Sequence, residues 1–269
     1  DYRRLADGMI ASDPNNPKWQ LEGVYASSNL GAIQIELARY ADAANTYQAA
    51  VVAIDRLAAS DPAKPQYQNL QSESLAWYSE ALEKSGKLDL AIQQRQRQLN
   101  LLTPYLAQEK PNAELRQKAM IANMALAWMY YLLGETRNAL DHAAAAVELG
   151  RRLTELEPAN ADWLGRSAMT QTNQAQIQLR SGRISEAKVI ADEGCSKTSQ
   201  LLARDPTVTY WRLNGRTCLA LRAELAAIAG AKGEARSLAQ QALEAVKTET
   251  SVGVRGKFAL GQAYKLIGD

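Results

Sequence analysis

The chain has 269 residues, with 31 lysines and arginines against 29 aspartates and glutamates and no block of like charge, so it offers no basic stripe for nucleic acid. Apolar residues make up 46%, mostly alanine and leucine, and no stretch of about 18 of them is available to cross a membrane. His142 is the only histidine, which leaves no set of partners for a metal site or a histidine-dependent nucleophile, and no cofactor motif is evident.

Residues 1–12, DYRRLADGMIAS, read as the tail of a helix comparable with AIDRLAAS before Asp61. Asp13-Pro14 ends it, because the residue before a proline is driven out of the helical region. A pair of antiparallel helices is expected over about 17–60, and the same unit over about 65–109, 112–157, 161–204 and 209–247, with a partial repeat at 254–269. Residues 66–110 show the pattern. Tyr67, Leu70, Leu75, Tyr78 and Leu82 recur at amphipathic-helix spacing, and Ser85-Gly86-Lys87 closes that helix. Leu88, Ala91, Ile92, Leu99 and Leu102 form the next apolar stripe, stopped at Lys110-Pro111. Each helix is about 20 residues, or ~30 Å, long. Strand signals, meaning alternating β-branched runs or Asn-Gly hairpins, are absent.

The units share one register. Gly86, Gly134, Gly182 and Gly230 are each 48 residues apart, and Ala91, Ala139, Ala187 and Ala235 follow them at the same period. Ala43 extends the alanine series backwards, and there Ala38 replaces the glycine. Asp13-Pro14, Asp61-Pro62, Lys110-Pro111, Glu157-Pro158 and Asp205-Pro206 recur 47 to 49 residues apart, usually followed by an aromatic: Trp19, Tyr67, Trp163 or Trp211. Such repetition marks a solenoid or array. A ligand site rarely needs the same residue in every repeat, so the turn aromatics are expected to pack helix starts rather than to form a binding ladder.

The segments GKLDLA (86–91), GETRNA (134–139), GRISEA (182–187) and GAKGEA (230–235), with SNLG at 28–31 and FALGQAYKLIG at 258–268, resemble the tetratricopeptide repeat (TPR). The period of 48 exceeds that family's usual length of about 34. The resemblance implies an all-α, TPR-like α-solenoid: a right-handed superhelix of about twelve antiparallel helices forming one repeat domain over 1–269. DPNNPKW (13–19) and EPANADW (157–163) are similar to the turns of long-period TPR regions in bacterial signalling proteins, among them serine/threonine kinases, nucleotide cyclases and winged-helix regulators. That likeness, with the chain's termini, suggests a fragment of a larger protein. No kinase, cyclase or DNA-binding motif lies within it.

The resemblance also places the first helix of each unit on a concave groove. Its register selects Tyr25 and Asn29, then Trp77 and Glu80, then Met124, Trp128 and Tyr131, then Asn173 and Gln176 as partner-binding candidates. Met124, Trp128 and Tyr131 share one helical face; burial under neighbouring helices is the competing reading. Asn29 and Asn173 are suited to an extended peptide backbone, against the plainer reading of a local cap or solvent contact. The positions that form a carboxylate clamp elsewhere in the family hold Ser28, Ala76, Met124, Thr172 and Ala220, and Ala32, Glu80, Trp128, Gln176 and Glu224, none of them basic.

Cys195 lies eleven residues before Pro206 and Cys218 twelve after it, which puts both thiols at one level of adjacent antiparallel helices. They form either a disulfide, which favours an extracytoplasmic (periplasmic) part of a membrane-anchored protein over a cytoplasmic one, or two buried free thiols. The combined expectation is a non-enzymatic scaffold that binds a protein or peptide segment, possibly from flanking domains of the same chain, with no nucleic acid and no direct membrane insertion. The alternative is a regulatory receptor for a small peptide or metabolite.

Overall fold

Proline and glycine divide the chain into eleven helices among the described residues: α1 (Tyr2–Ser12), α2 (Pro17–Glu36), α3 (Tyr40–Ser60), α4 (Pro65–Lys84), α5 (Leu88–Leu106), α6 (Ala113–Leu132), α7 (Thr136–Leu156), α8 (Ala161–Arg180), α9 (Ile184–Arg204), α10 (Thr209–Ile228) and α11 (Lys232–Glu244). The computed structural model describes residues 1–106, 112–245, 261 and 265. The expected turn at Lys110-Pro111, and the partial repeat at 254–269 apart from Gly261 and Lys265, lie outside the described residues.

Two kinds of turn alternate. Gly86, Gly134, Gly182 and Gly230 take φ between 76 and 82°, the left-handed conformation in which glycine carries no steric penalty. A Cβ at any of the four would meet no neighbour within 4 Å, so backbone conformation rather than crowding selects glycine. Three of these turns close with the same bond, Lys87 N to Leu82 O at 2.9 Å, Arg183 N to Gln178 O at 2.9 Å and Ala231 N to Ala226 O at 2.9 Å, which satisfies a carbonyl the helix end would otherwise leave open. Ala38 makes the same turn at φ 56°, with Arg39 N bonded to Gln34 O at 2.7 Å. At the other turns Asp13, Asp61, Glu157 and Asp205 have left helical geometry, with φ from −151 to −139° ahead of their prolines. Asn16 and Asn160 then cap α2 and α8 through their side-chain oxygens, and Pro17 and Pro65 start α2 and α4 where no backbone donor is needed.

The first of two compact units runs from Asp1 to Tyr130. Within it α1 packs on α2, α2 on α3, α3 on α4, and α4 on α5. Val24, Ile54, Leu57 and Tyr67 form one buried cluster; Ala43, Ala44, Tyr47, Ala81, Leu82, Ala91, Leu126 and Met129 contribute to another. The second unit runs from Tyr131 to Asp269. Here α7 packs on α8, α8 on α9, α9 on α10, and α10 on α11. Its clusters include Ala175, Leu179, Ala187, Ala191 and Leu221, and, further along, Ala223, Ala239 and Ala242. The periodic alanines Ala43, Ala91, Ala139, Ala187 and Ala235 are all buried, because a methyl group there lets the paired helices approach closely.

The turn aromatics serve packing. Tyr67 and Trp211 are buried, while Trp19 and Trp163 are half-buried. A Cβ at Gly165 would sit 2.5 Å from Trp211 Nε1, so that glycine makes room for the indole. Buried polar groups tie the helices together. In the first unit Arg95 donates to Gln98 Oε1 (3.0 Å) and to the Ala76 carbonyl (3.1 Å), and Gln98 donates to Ser72 (3.2 Å). In the second, Thr172 donates to Asn214 Oδ1 (2.7 Å), and Asn214 donates to Thr198 (2.7 Å), joining α8, α9 and α10.

Candidate interaction site

Tyr47 organises the most developed surface of the first unit. It enters from α3 and lies over Gly31 of α2, where a Cβ would come within 2.5 Å of its ring. Its hydroxyl is 3.5 Å from the Ser28 carbonyl. Its other face stacks on Trp77 of α4, with ring centroids 6.4 Å apart and an interplanar angle of 16°. Burial, reinforced by the nearby Glu80 carboxylate, raises the Tyr47 pKa to about 12, so the phenol stays neutral across the physiological range. Trp77 itself is 46% exposed. It is thus a large aromatic held in one orientation by a buried partner yet open to solvent on the remaining side. Glu80, one helical turn on, is half-buried and pairs with Lys84 at 3.6 Å.

The other groove candidates fall out differently. Asn29 is exposed, one residue from Ser28 in the chain. Tyr25 is half-buried, and its hydroxyl accepts from Gln66 Nε2 at 3.1 Å. Met124 is half-buried, whereas Trp128 is only 4% exposed and has no ring face to offer a partner. The groove assignment of Trp128 is therefore corrected. On α6 it is flanked by the buried small residues Ala122, Ala125 and Ala127 and by buried Leu126 and Met129, so packing closes over more than one side of the helix. In the second unit Tyr131, Asn173 and Gln176 are all half-buried, and the Asn173 amide nitrogen is shut off from water with no hydrogen-bond partner. Thr172, next to it, belongs to the buried network with Asn214 and Thr198 rather than to any open surface. Sequence reasoning missed Tyr47 as the support for Trp77. The available signal was the aromatic at 47 sharing a repeat with the small residue Gly31.

Cys195 and Cys218 are joined in a disulfide with Cα atoms 5.5 Å apart, linking α9 to α10 across 23 residues. His142 is half-buried; burial lowers its pKa, with the Asp141 carboxylate acting the other way. Among the described residues no group of three or more histidine, cysteine or carboxylate side chains is placed to hold a metal ion. No helix of the described residues is long and apolar enough to cross a membrane.

No protein family matches the sequence, and no curated protein does. Among solved structures the chain is similar to BtubC (BKLC) from P. vanneervenii, at 17% identity over 84% of this chain and 83% of that chain, with a TM-score of 0.57. It is an all-α solenoid of TPR-like helix hairpins. Weaker likenesses are to a putative kinesin light chain from Podosopora anserina with nearly identical TPR-like repeats (18% identity, 84% of this chain and 99% of that chain, TM-score 0.47) and to YrrB, a TPR protein with an unusual peptide-binding site (12% identity, 97% of each chain, TM-score 0.42). At these identities the likeness is one of fold.

Proposed function

We propose that this chain is a non-enzymatic interaction scaffold that receives a protein or peptide segment on the first helices of its repeats. The supporting observation is the Tyr47–Trp77 stack: an exposed indole pre-oriented by a buried ring. Large rigid aromatics supply contact area at low entropic cost and dominate binding energy where they anchor a partner. On the same first helices Asn29, Tyr25 and Glu80 are exposed or half-buried polar groups able to set register, and Met124 is a half-buried apolar residue. In the second unit Asn173 and Gln176 supply amides suited to a peptide backbone. The resemblance of DPNNPKW and EPANADW to turns of signalling proteins supports a place within a larger bacterial signalling protein. The Cys195–Cys218 disulfide supports an extracytoplasmic compartment.

The test is affinity capture from the source cell with the native protein and with Trp77→Ala. A partner retained by the native protein and lost with the variant is expected. Equal retention by both removes Trp77 as the anchor, and a catalytic turnover traced to this chain removes the scaffold reading.

A further inference from the structure

An open surface cleft of about 600 Å³ lies in the second unit between the amino-terminal half of α7 and the carboxy-terminal half of α8. Arg137, Asp141, Gln174, Gln178 and Arg183 line it, with Leu140 and Ala144 as apolar wall. Its composition departs from the repeat. Forty-eight residues before Gln174 and Gln178 the chain has Leu126 and Tyr130, and 48 before those Tyr78 and Leu82. All four of these side chains belong to or pack against the apolar core of the first unit. The first copy has Leu30 and Gln34 at these positions, the Gln34 amide oxygen also buried and unpaired, and the fifth has Arg222 and Ala226, so two amides together occur in this copy alone. The amide oxygens of Gln174 and Gln178 are shut off from water and have no hydrogen-bond partner. A buried acceptor left unpaired costs stability, so two of them four residues apart beside a cleft call for a ligand that donates. The terminal torsion of glutamine is broad, so either amide turns toward the cleft without leaving its rotamer.

The charged groups define the rest of the ligand. Arg137 and Asp141 are one turn apart on α7, yet they form no ion pair with each other or with any other group among the described residues. Arg183, at the start of α9, has a single exposed contact, with Glu186 at 3.6 Å. The lining therefore presents two guanidinium groups and one carboxylate, all solvent-exposed, with a short apolar wall and the two half-buried glutamine amides behind them.

We infer that this cleft binds a small zwitterion, a free amino acid or a dipeptide, with its ammonium group on Asp141 and the glutamine oxygens and its carboxylate on Arg137 and Arg183. Charge-assisted bonds at both ends give selectivity for a molecule carrying both charges. Leu140 and Ala144 accept a small aliphatic side chain. The volume falls in the range of small-molecule sites. The site lies in the other unit from Trp77 and does not rest on the partner-binding reading.

Calorimetric titration of the whole chain with alanine, alanylalanine, N-acetylalanine and alaninamide tests the inference. Alanine or alanylalanine is expected to bind with a Kd of about 1 mM or tighter, and the stronger of the two identifies the ligand length. N-acetylalanine and alaninamide, each lacking one charge, should bind at least roughly tenfold more weakly. Asp141→Asn and Arg137→Ala should each weaken the zwitterion by a similar factor. The double variant Gln174→Leu with Gln178→Leu gives both positions the apolar character they have in the second and third copies; it should melt no lower than the native protein and lose binding. Trp77→Ala should keep it. No heat with either zwitterion at about 10 mM, equal binding of N-acetylalanine, or undiminished binding by the double variant overturns the inference. Preference for N-acetylalanine specifically would make this a plain anion site.

Discussion

Ala38 is the only non-glycine residue with positive φ among the described residues. Its four counterparts at the repeat period are glycines in the same conformation, with open space where a Cβ would stand. The left-handed region costs an L-residue about 1–2 kcal/mol. Ala38→Gly should therefore raise stability by about 0.5–1 kcal/mol, part of the strain relief being offset by a more flexible unfolded chain. Gly134→Ala should lower it by about 1–2 kcal/mol. Denaturant midpoints measure both; unchanged midpoints in the two variants would contradict the turn geometry. His142 has its pKa lowered chiefly by burial from an ordinary 6.5. The unfolded chain thus takes up the proton first as pH falls. The stability tied to the neutral imidazole is full above pH 6.5 and is lost as pH drops toward the folded-state value. His142→Gln should flatten the pH dependence of Tm in that window, and an unaltered slope would assign the dependence to other groups.

At the scale of the helix, the small residues decide how the pairs meet. Ala187 is fully buried among Ala175, Leu179, Ala191 and Leu221 of α8, α9 and α10. Ala187→Leu adds three carbons where close packing leaves no room, and should cost about 1–3 kcal/mol by overpacking. A neutral result in thermal melts would mean that the helices separate more easily than this contact implies. The same scale shows what the chain's order of residues makes legible. Helix ends were readable at Gly86, Gly182 and Asp61-Pro62 because a positive φ and a pre-proline residue are local constraints that need no tertiary context. The fate of Trp128 was not, because the 48-residue register assigns a helical face but not how many neighbours cover it. Buried residues at nearly every position from Ala119 to Met129 show that α6 is covered on more than one side, and Trp128 with it. Trp77 was placed on the groove by the same register, but its stacking on Tyr47 depends on a contact between α3 and α4 that periodicity does not encode. The two glutamines of the α7–α8 cleft are not legible in the sequence either, since each is ordinary on a helix and is unusual only for its buried, unpaired amide oxygen.

Across the molecule, two compact units share one repeating plan, and only the second carries a covalent tie. A disulfide closing 23 residues of chain restricts the unfolded state by an amount worth ~3 kcal/mol. The paired substitution Cys195→Ala with Cys218→Ala should lower the stability of the second unit by up to about that much. Hydrogen exchange, read unit by unit, should show the loss in α9 and α10 and leave α2 to α4 unaffected. Equal loss in both units would mean that they unfold as one cooperative body. Repeat architecture otherwise makes stability a sum of neighbouring contacts, so binding energy can be concentrated in a few exposed side chains without weakening the array. Trp77 and Trp128 embody that division: one half-exposed on a rigid support, the other enclosed in the core. The most direct measurement is partner Kd and Tm for Trp77→Ala and Trp128→Ala side by side. Trp77→Ala should weaken binding by about 2 kcal/mol or more with Tm nearly unchanged, while Trp128→Ala should lower stability by about 3–5 kcal/mol. Unchanged binding with Trp77→Ala, or a Tm collapse there and none with Trp128→Ala, would contradict the account.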